Sequence, residues 1–115
     1  MGHYHDEIRA NQEAAKDLRS RIPGTYEGFV QMHRATFEDG ALSTKTKELI
    51  AVAIAVADKC DGCIAAHTRS AVRQGATEQE FAEMLGVAID MMGGPGTVYA
   101  PKAWEAYTEF KERYG

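Results

Sequence analysis

A chain of 115 residues, 44% hydrophobic and 26% charged, has the composition of one globular domain and leaves little room for a second. Its 13 basic and 17 acidic side chains give a formal charge of −4, and the basic ones are scattered, which argues against a nucleic-acid surface. The start, Met1-Gly2-His3-Tyr4-His5-Asp6-Glu7, lacks a basic segment followed by an apolar one, and the longest apolar run, Leu49 to Ala57, is far shorter than the roughly 20 residues that cross a bilayer. The expectation is a cytoplasmic protein with no membrane span. Two cysteines in such a chain point to catalytic or metal-binding use rather than to a structural staple. His3 and His5, two spaced histidines at a terminus, are expected to bind metal weakly if at all.

Every strong periodic signal is helical. Residues from about His5 to Ser20 are rich in Ala, Leu, Glu, Lys and Arg, and Pro23-Gly24 closes that segment. Tyr26, Phe29, Val30 and His33 recur at helical spacing, which predicts a second helix from about Pro23 to Phe37, followed by the turn Glu38-Asp39-Gly40. Ser43 is a good N-cap for a third helix running through Glu48 and the apolar stretch to Ala57. That stretch is apolar on all sides, more than the core of one small chain can cover, so burial against a neighbouring subunit is expected. A fourth helix is expected from about Asp61 to Gln74, with Gly75 past its end. Thr77-Glu78-Gln79-Glu80 is a capping box opening a fifth helix through Phe81, Met84, Leu85, Ala88 and Ile89. Gly93-Gly94-Pro95-Gly96 reads as its stop, and a sixth helix is expected from about Pro101 to Arg113 with Trp104, Tyr107 and Phe110 on one side. Met84, Met91 and Met92 read as core or interface filler. The fold class is all-α: a compact single-domain bundle of about six helices over residues 1–115, completed by oligomerisation.

The informative stretch is Cys60-Asp61-Gly62-Cys63-Ile64-Ala65-Ala66-His67. At 100° per residue, Cys60, Cys63 and His67 fall within an arc of about 60°, so all three side chains can meet on one helix face. Two cysteines so spaced at a helix start can close a reversible disulfide, and the helix N-terminus favours a thiolate there. By that reasoning alone Cys60 is the more acidic thiol. His67, one turn beyond Cys63, can take a thiol proton. Glu48, twelve residues before Cys60, opens an otherwise apolar helix, and its functional role would be to orient His67 and hold the relayed proton. In a straight third helix Glu48 lies about 15 Å from the break, so it reaches the thiols of its own chain by helix crossing, or those of a neighbour. His33 lies on the apolar side of the second helix, where packing or surface exposure is the ordinary role and a border to the same site the alternative.

Glu48, eleven residues, Cys60-x-x-Cys63 and then x-x-x-His67 resemble the alkylhydroperoxidase D-like branch of the carboxymuconolactone decarboxylase superfamily. The resemblance covers residues from about 25 to 110, and its core runs from Ser43 to Gln74. It implies an all-α fold, homotrimers or homohexamers, and reduction of hydroperoxides or disulfides at the expense of a dithiol reductant protein or a small thiol, without a cofactor. Carried over, Cys63 attacks the peroxide, Cys60 resolves it, and Glu48 with His67 forms the proton relay. The chain departs from that pattern at Gly62, where relatives with peroxidase activity often have a histidine, which removes one member of the relay. Other readings of the same residues are two buried free thiols, a zinc site on Cys60, Cys63, His67 and Glu48, an acid–base lactone decarboxylase with no need of paired thiols, and a redox-sensing module without turnover.

Overall fold

A computed structural model describes residues 3–115, apart from the side chains of residues 3–5 and 7, so the readings of Met1-Gly2 and of the His3 and His5 side chains lie outside the described residues. The chain forms α1 (His3–Arg21), α2 (Pro23–Phe37), α3 (Thr44–Ala57), α4 (Asp61–Arg73), α5 (Glu78–Met92) and α6 (Gly94–Tyr114), with no strand among the described residues. The all-α expectation holds, and five of the six helices lie within two residues of their expected bounds, the usual scatter of helix ends.

The local chemistry explains the boundaries. The Ser43 side chain accepts a hydrogen bond from Thr46 N at the start of α3, and Thr77 and Glu80 form both halves of the capping box of α5. The sixth helix corrects the sequence reading. It starts at Gly94 rather than Pro101, because only Gly93, at φ 75°, breaks the chain, and Pro95 falls in the first turn, where a missing N–H costs nothing. Pro101 lies inside the helix. Gly96 is required by packing: a Cβ there would come within 2.8 Å of the Ile89 Cα, so α6 leaves α5 at backbone contact.

Helices α3 and α6 pack on each other and on both α4 and α5, and α1 lies on α4. The core is filled by Val52, Val56, Ile64, Phe81, Tyr107 and Phe110, all fully buried. Trp104 is only partly covered, stacked on Tyr107 with centroids 5.6 Å apart. Met84 and Met92 pack against this core as expected, whereas Met91 is exposed. Helix α2 buries no residue and rests mainly on α1 and α3. On α3, Glu48, Val52, Ala55 and Val56 face inward while Ile50 and Ile54 are exposed, so one chain covers only part of the apolar helix. The chain exposes 7117 Å², against about 6,200 Å² for a compact monomer of this mass.

Candidate active site

Cys60 occupies the link between α3 and α4 and belongs to both. Helix α3 ends in a Schellman closure: Lys59 N donates to Val56 O and Cys60 N to Ala55 O, with Lys59 in the left-handed region at φ 56°. Cys60 is at once the N-cap of α4, its sulfur accepting from Cys63 N at 3.3 Å and its carbonyl from Ile64 N. Cys60 and Cys63 are joined by a disulfide, their Cα atoms 5.2 Å apart. Cys60 is half-buried and Cys63 exposed. A Cβ at Gly62 would meet nothing within 4 Å, so packing does not require the glycine.

His67 lies one turn beyond Cys63 on α4, and residues four apart are surface neighbours on a helix. Its Nδ1 is 2.7 Å from Glu48 Oε1, a contact made within one chain by the packing of α3 on α4. The Glu48 side chain is 7% exposed and that of His67 24%, so the carboxylate is shielded from water while the imidazole reaches the surface. With the carboxylate ionised, Nδ1–H donates to Oε1 and Nε2 keeps its lone pair for a proton from outside the pair. Crossing of two helices of the same chain is therefore what brings Glu48 to His67.

Two rings from α2 flank the imidazole. Phe37 stacks on it with centroids 5.6 Å apart and planes at 20°, and the half-buried His33 lies 5.9 Å away. His33 itself stacks on Phe37 at 4.5 Å. His33 thus borders the site, the alternative role rather than the ordinary one. Phe37 entered the sequence reading only as a helix end; the spacing Phe29, His33, Phe37, one aromatic ring per turn, is the signal that marks this stripe.

A further side chain reaches the site from α6. The Tyr99 hydroxyl donates to Asp61 Oδ1 at 2.7 Å and lies 3.2 Å from Lys59 O. The hydrogen bond to Asp61, then burial and the Asp61 charge, hold the Tyr99 phenol above its ordinary value of 10.0. No local sequence signal connects Tyr99 with the cysteines. Among the described residues, no group of three or more His, Cys, Asp or Glu side chains is arranged to hold a metal ion, with Cys60 and Cys63 joined to each other. No helix among them is long and apolar enough to cross a membrane.

Comparisons with known proteins agree with this fold. An uncharacterised protein of Cupriavidus necator is 46% identical over 81 residues, covering 70% of this chain and 72% of that one. A protein of the cox locus of Paracoccus denitrificans is 40% identical over 77 residues, covering 67% and 69%. The solved structure of a carboxymuconolactone decarboxylase family protein from Legionella pneumophila is 41% identical, superposes with a TM-score of 0.91, and is covered over 96% of its length by 94% of this chain. A Thermotoga maritima protein of the family, with a suggested link to an antioxidative response, is 27% identical, with a TM-score of 0.74 over 87% of this chain and 88% of that one. The profile of the carboxymuconolactone decarboxylase family itself matches residues 23–106, and the chain belongs to that family.

Proposed function

We propose that this chain is a thiol-dependent oxidoreductase that reduces hydroperoxides, or disulfides, through Cys60 and Cys63, with Glu48 and His67 as its proton relay. The observation that carries the reading is the 2.7 Å contact between buried Glu48 and His67, one helical turn from a cysteine of the disulfide. In the reduced enzyme His67 Nε2 takes the Cys63 thiol proton. The thiolate attacks the distal peroxide oxygen: an S–O bond forms, the O–O bond breaks, and the alkoxide leaves with the proton that His67 returns. The Cys60 thiol then attacks the Cys63 sulfenic acid, the S–S bond forms and water departs. An external dithiol restores both thiols by exchange. Exposed Cys63 suits the attacking role, and Cys60, fixed as the N-cap, suits the resolving one. A cytoplasmic setting supplies such reductants.

The proposal includes a homotrimer or homohexamer. Support comes from exposed Phe29 and Met32 on α2, exposed Ile50 and Ile54 on α3, and the excess of exposed area over a compact monomer.

Peroxide titration followed by mass spectrometry tests the roles. Cys60→Ser should consume one equivalent of peroxide, stop at a trappable sulfenic acid on Cys63, and not turn over. Cys63→Ser should react far more slowly, and His67→Ala should slow thiol oxidation by about a hundredfold or more, the usual worth of a placed base. Sulfenic acid on Cys60 in Cys63→Ser, at the wild-type rate, would reverse the two thiols. Inert thiols with a stoichiometric metal would replace the redox reading by the zinc one, and inert thiols with lactone decarboxylation by the acid–base one.

A further inference from the structure

We propose that Tyr99 is a positioning residue for the redox pair, its hydroxyl holding the residues on either side of Cys60 in the arrangement that closes the disulfide. The inference rests on the redox cycle proposed above and concerns the step in which Cys60 meets Cys63.

Cys60 stands in the link 58–60, between the regular ladders of α3 and α4. The first amides of a helix have no partner in the preceding turn, so the start of α4 lacks the ladder that fixes its middle. Ahead of it, Lys59 adopts a left-handed conformation that L-residues disfavour, with no glycine to relieve it. In the disulfide form this segment is tied by the S–S bond and by the Cys63 N–H on the Cys60 sulfur. Reduction removes the covalent tie. Beyond the backbone bonds of Lys59 N and Cys60 N to α3, the segment is then held by Tyr99, whose hydroxyl straddles Cys60 by bonding Asp61 on one side and reaching the Lys59 carbonyl on the other. Tyr99 belongs to α6, which packs along α4, and Lys102 Nζ sits 5.0 Å over its ring, so the anchor is a rigid element. An anchor that limits the wandering of Cys60 raises its effective concentration at Cys63. It therefore favours the disulfide over the open dithiol and speeds closure.

The test equilibrates the full-length wild type, Tyr99→Phe, Asp61→Ala and Asp61→Asn with graded glutathione buffers, and reads the disulfide fraction by thiol alkylation and mass. Circular dichroism checks that each variant keeps its helices. Tyr99→Phe and Asp61→Ala should each lower the disulfide-forming equilibrium about tenfold, a potential shift of about +30 mV. Both should also lengthen the life of the Cys63 sulfenic acid while leaving its rate of formation unchanged. Asp61→Asn keeps an oxygen acceptor and should stay within about threefold of wild type. Folded Tyr99→Phe and Asp61→Ala variants with wild-type potentials would overturn the inference. So would a shift in Tyr99→Phe alone, because ring packing and not the hydroxyl–carboxylate bond would then be acting. A wild-type pair that never exchanges with glutathione would overturn the redox cycle and this inference with it, whereas a cycling wild type with unmoved variants would remove only the anchor.

Discussion

Helix α4 is held at both ends by the same devices, built from different residues. At each end a Schellman closure leads into an N-cap: Lys59 and Cys60 into α4, Gly75 and Ala76 into the Thr77 cap of α5. At each end a tyrosine of α6 reaches the backbone of the turn, Tyr99 towards Lys59 O at 3.2 Å and Tyr107 to Ala76 O at 2.8 Å. The C-terminal junction uses the residues that cost least. Glycine takes the left-handed position at φ 86°, the capping box satisfies two free amides, and Tyr107 is buried. The N-terminal junction puts a lysine in the left-handed position, caps with a sulfur, and exposes the tyrosine's bond to a carboxylate. One turn is built to stay closed. The other gives up backbone comfort at the covalent bond that opens and closes in the proposed cycle.

The comparison breaks if the two tyrosines behave alike. Tyr107→Phe strips a buried carbonyl of its donor and should cost about 1–3 kcal/mol in urea unfolding, with the glutathione potential of the thiols unchanged. Tyr99→Phe should do the reverse, leaving the unfolding midpoint nearly in place because water can serve its exposed partners. Next in size are the left-handed positions. Gly75→Ala should destabilise by about 1–2 kcal/mol, because an L-residue resists that backbone, while Lys59→Gly should stabilise by about 0.5–1 kcal/mol. No gain in stability from Lys59→Gly would mean that the left-handed lysine carries no strain and would break the comparison. The smallest effect is on pH. The Thr77 backbone N–H first, then Lys45, hold the Glu80 carboxyl below its ordinary value of 4.5. A depressed folded value means that this contribution is present above about pH 4.5 and is lost as pH falls through the folded value. Glu80→Gln should flatten that acid limb of the unfolding midpoint, and an unchanged limb would place the acid sensitivity elsewhere.

The stretch from Cys60 to His67 was legible because a helix places residues three and four apart on one face whatever surrounds it. The caps at Ser43 and Thr77, and the stop at Gly75, were legible for the same reason: each satisfies amides or a backbone angle within its own turn. Gly93-Gly94-Pro95-Gly96 misled because residues that stop one helix also start the next. Glycine and proline mark a break without saying on which side of it each residue falls. His33 gave too weak a signal, since one histidine on an apolar face looks the same whether its neighbour is a leucine or another imidazole.

Local chemistry along the chain sets the six helices, most of their ends, and the disulfide-competent spacing of Cys60 and Cys63 on the face that carries His67. Those are properties of the chain over a few residues, fixed by hydrogen bonds and side-chain spacing within a turn. It takes the packing of helices to bring Glu48 to His67, Phe37 and His33 to the sides of the imidazole, and Tyr99 to the turn of Cys60. Each of these joins two helices, and the angle and register at which helices pack depend on the whole set of buried side chains, from Val52 to Phe110.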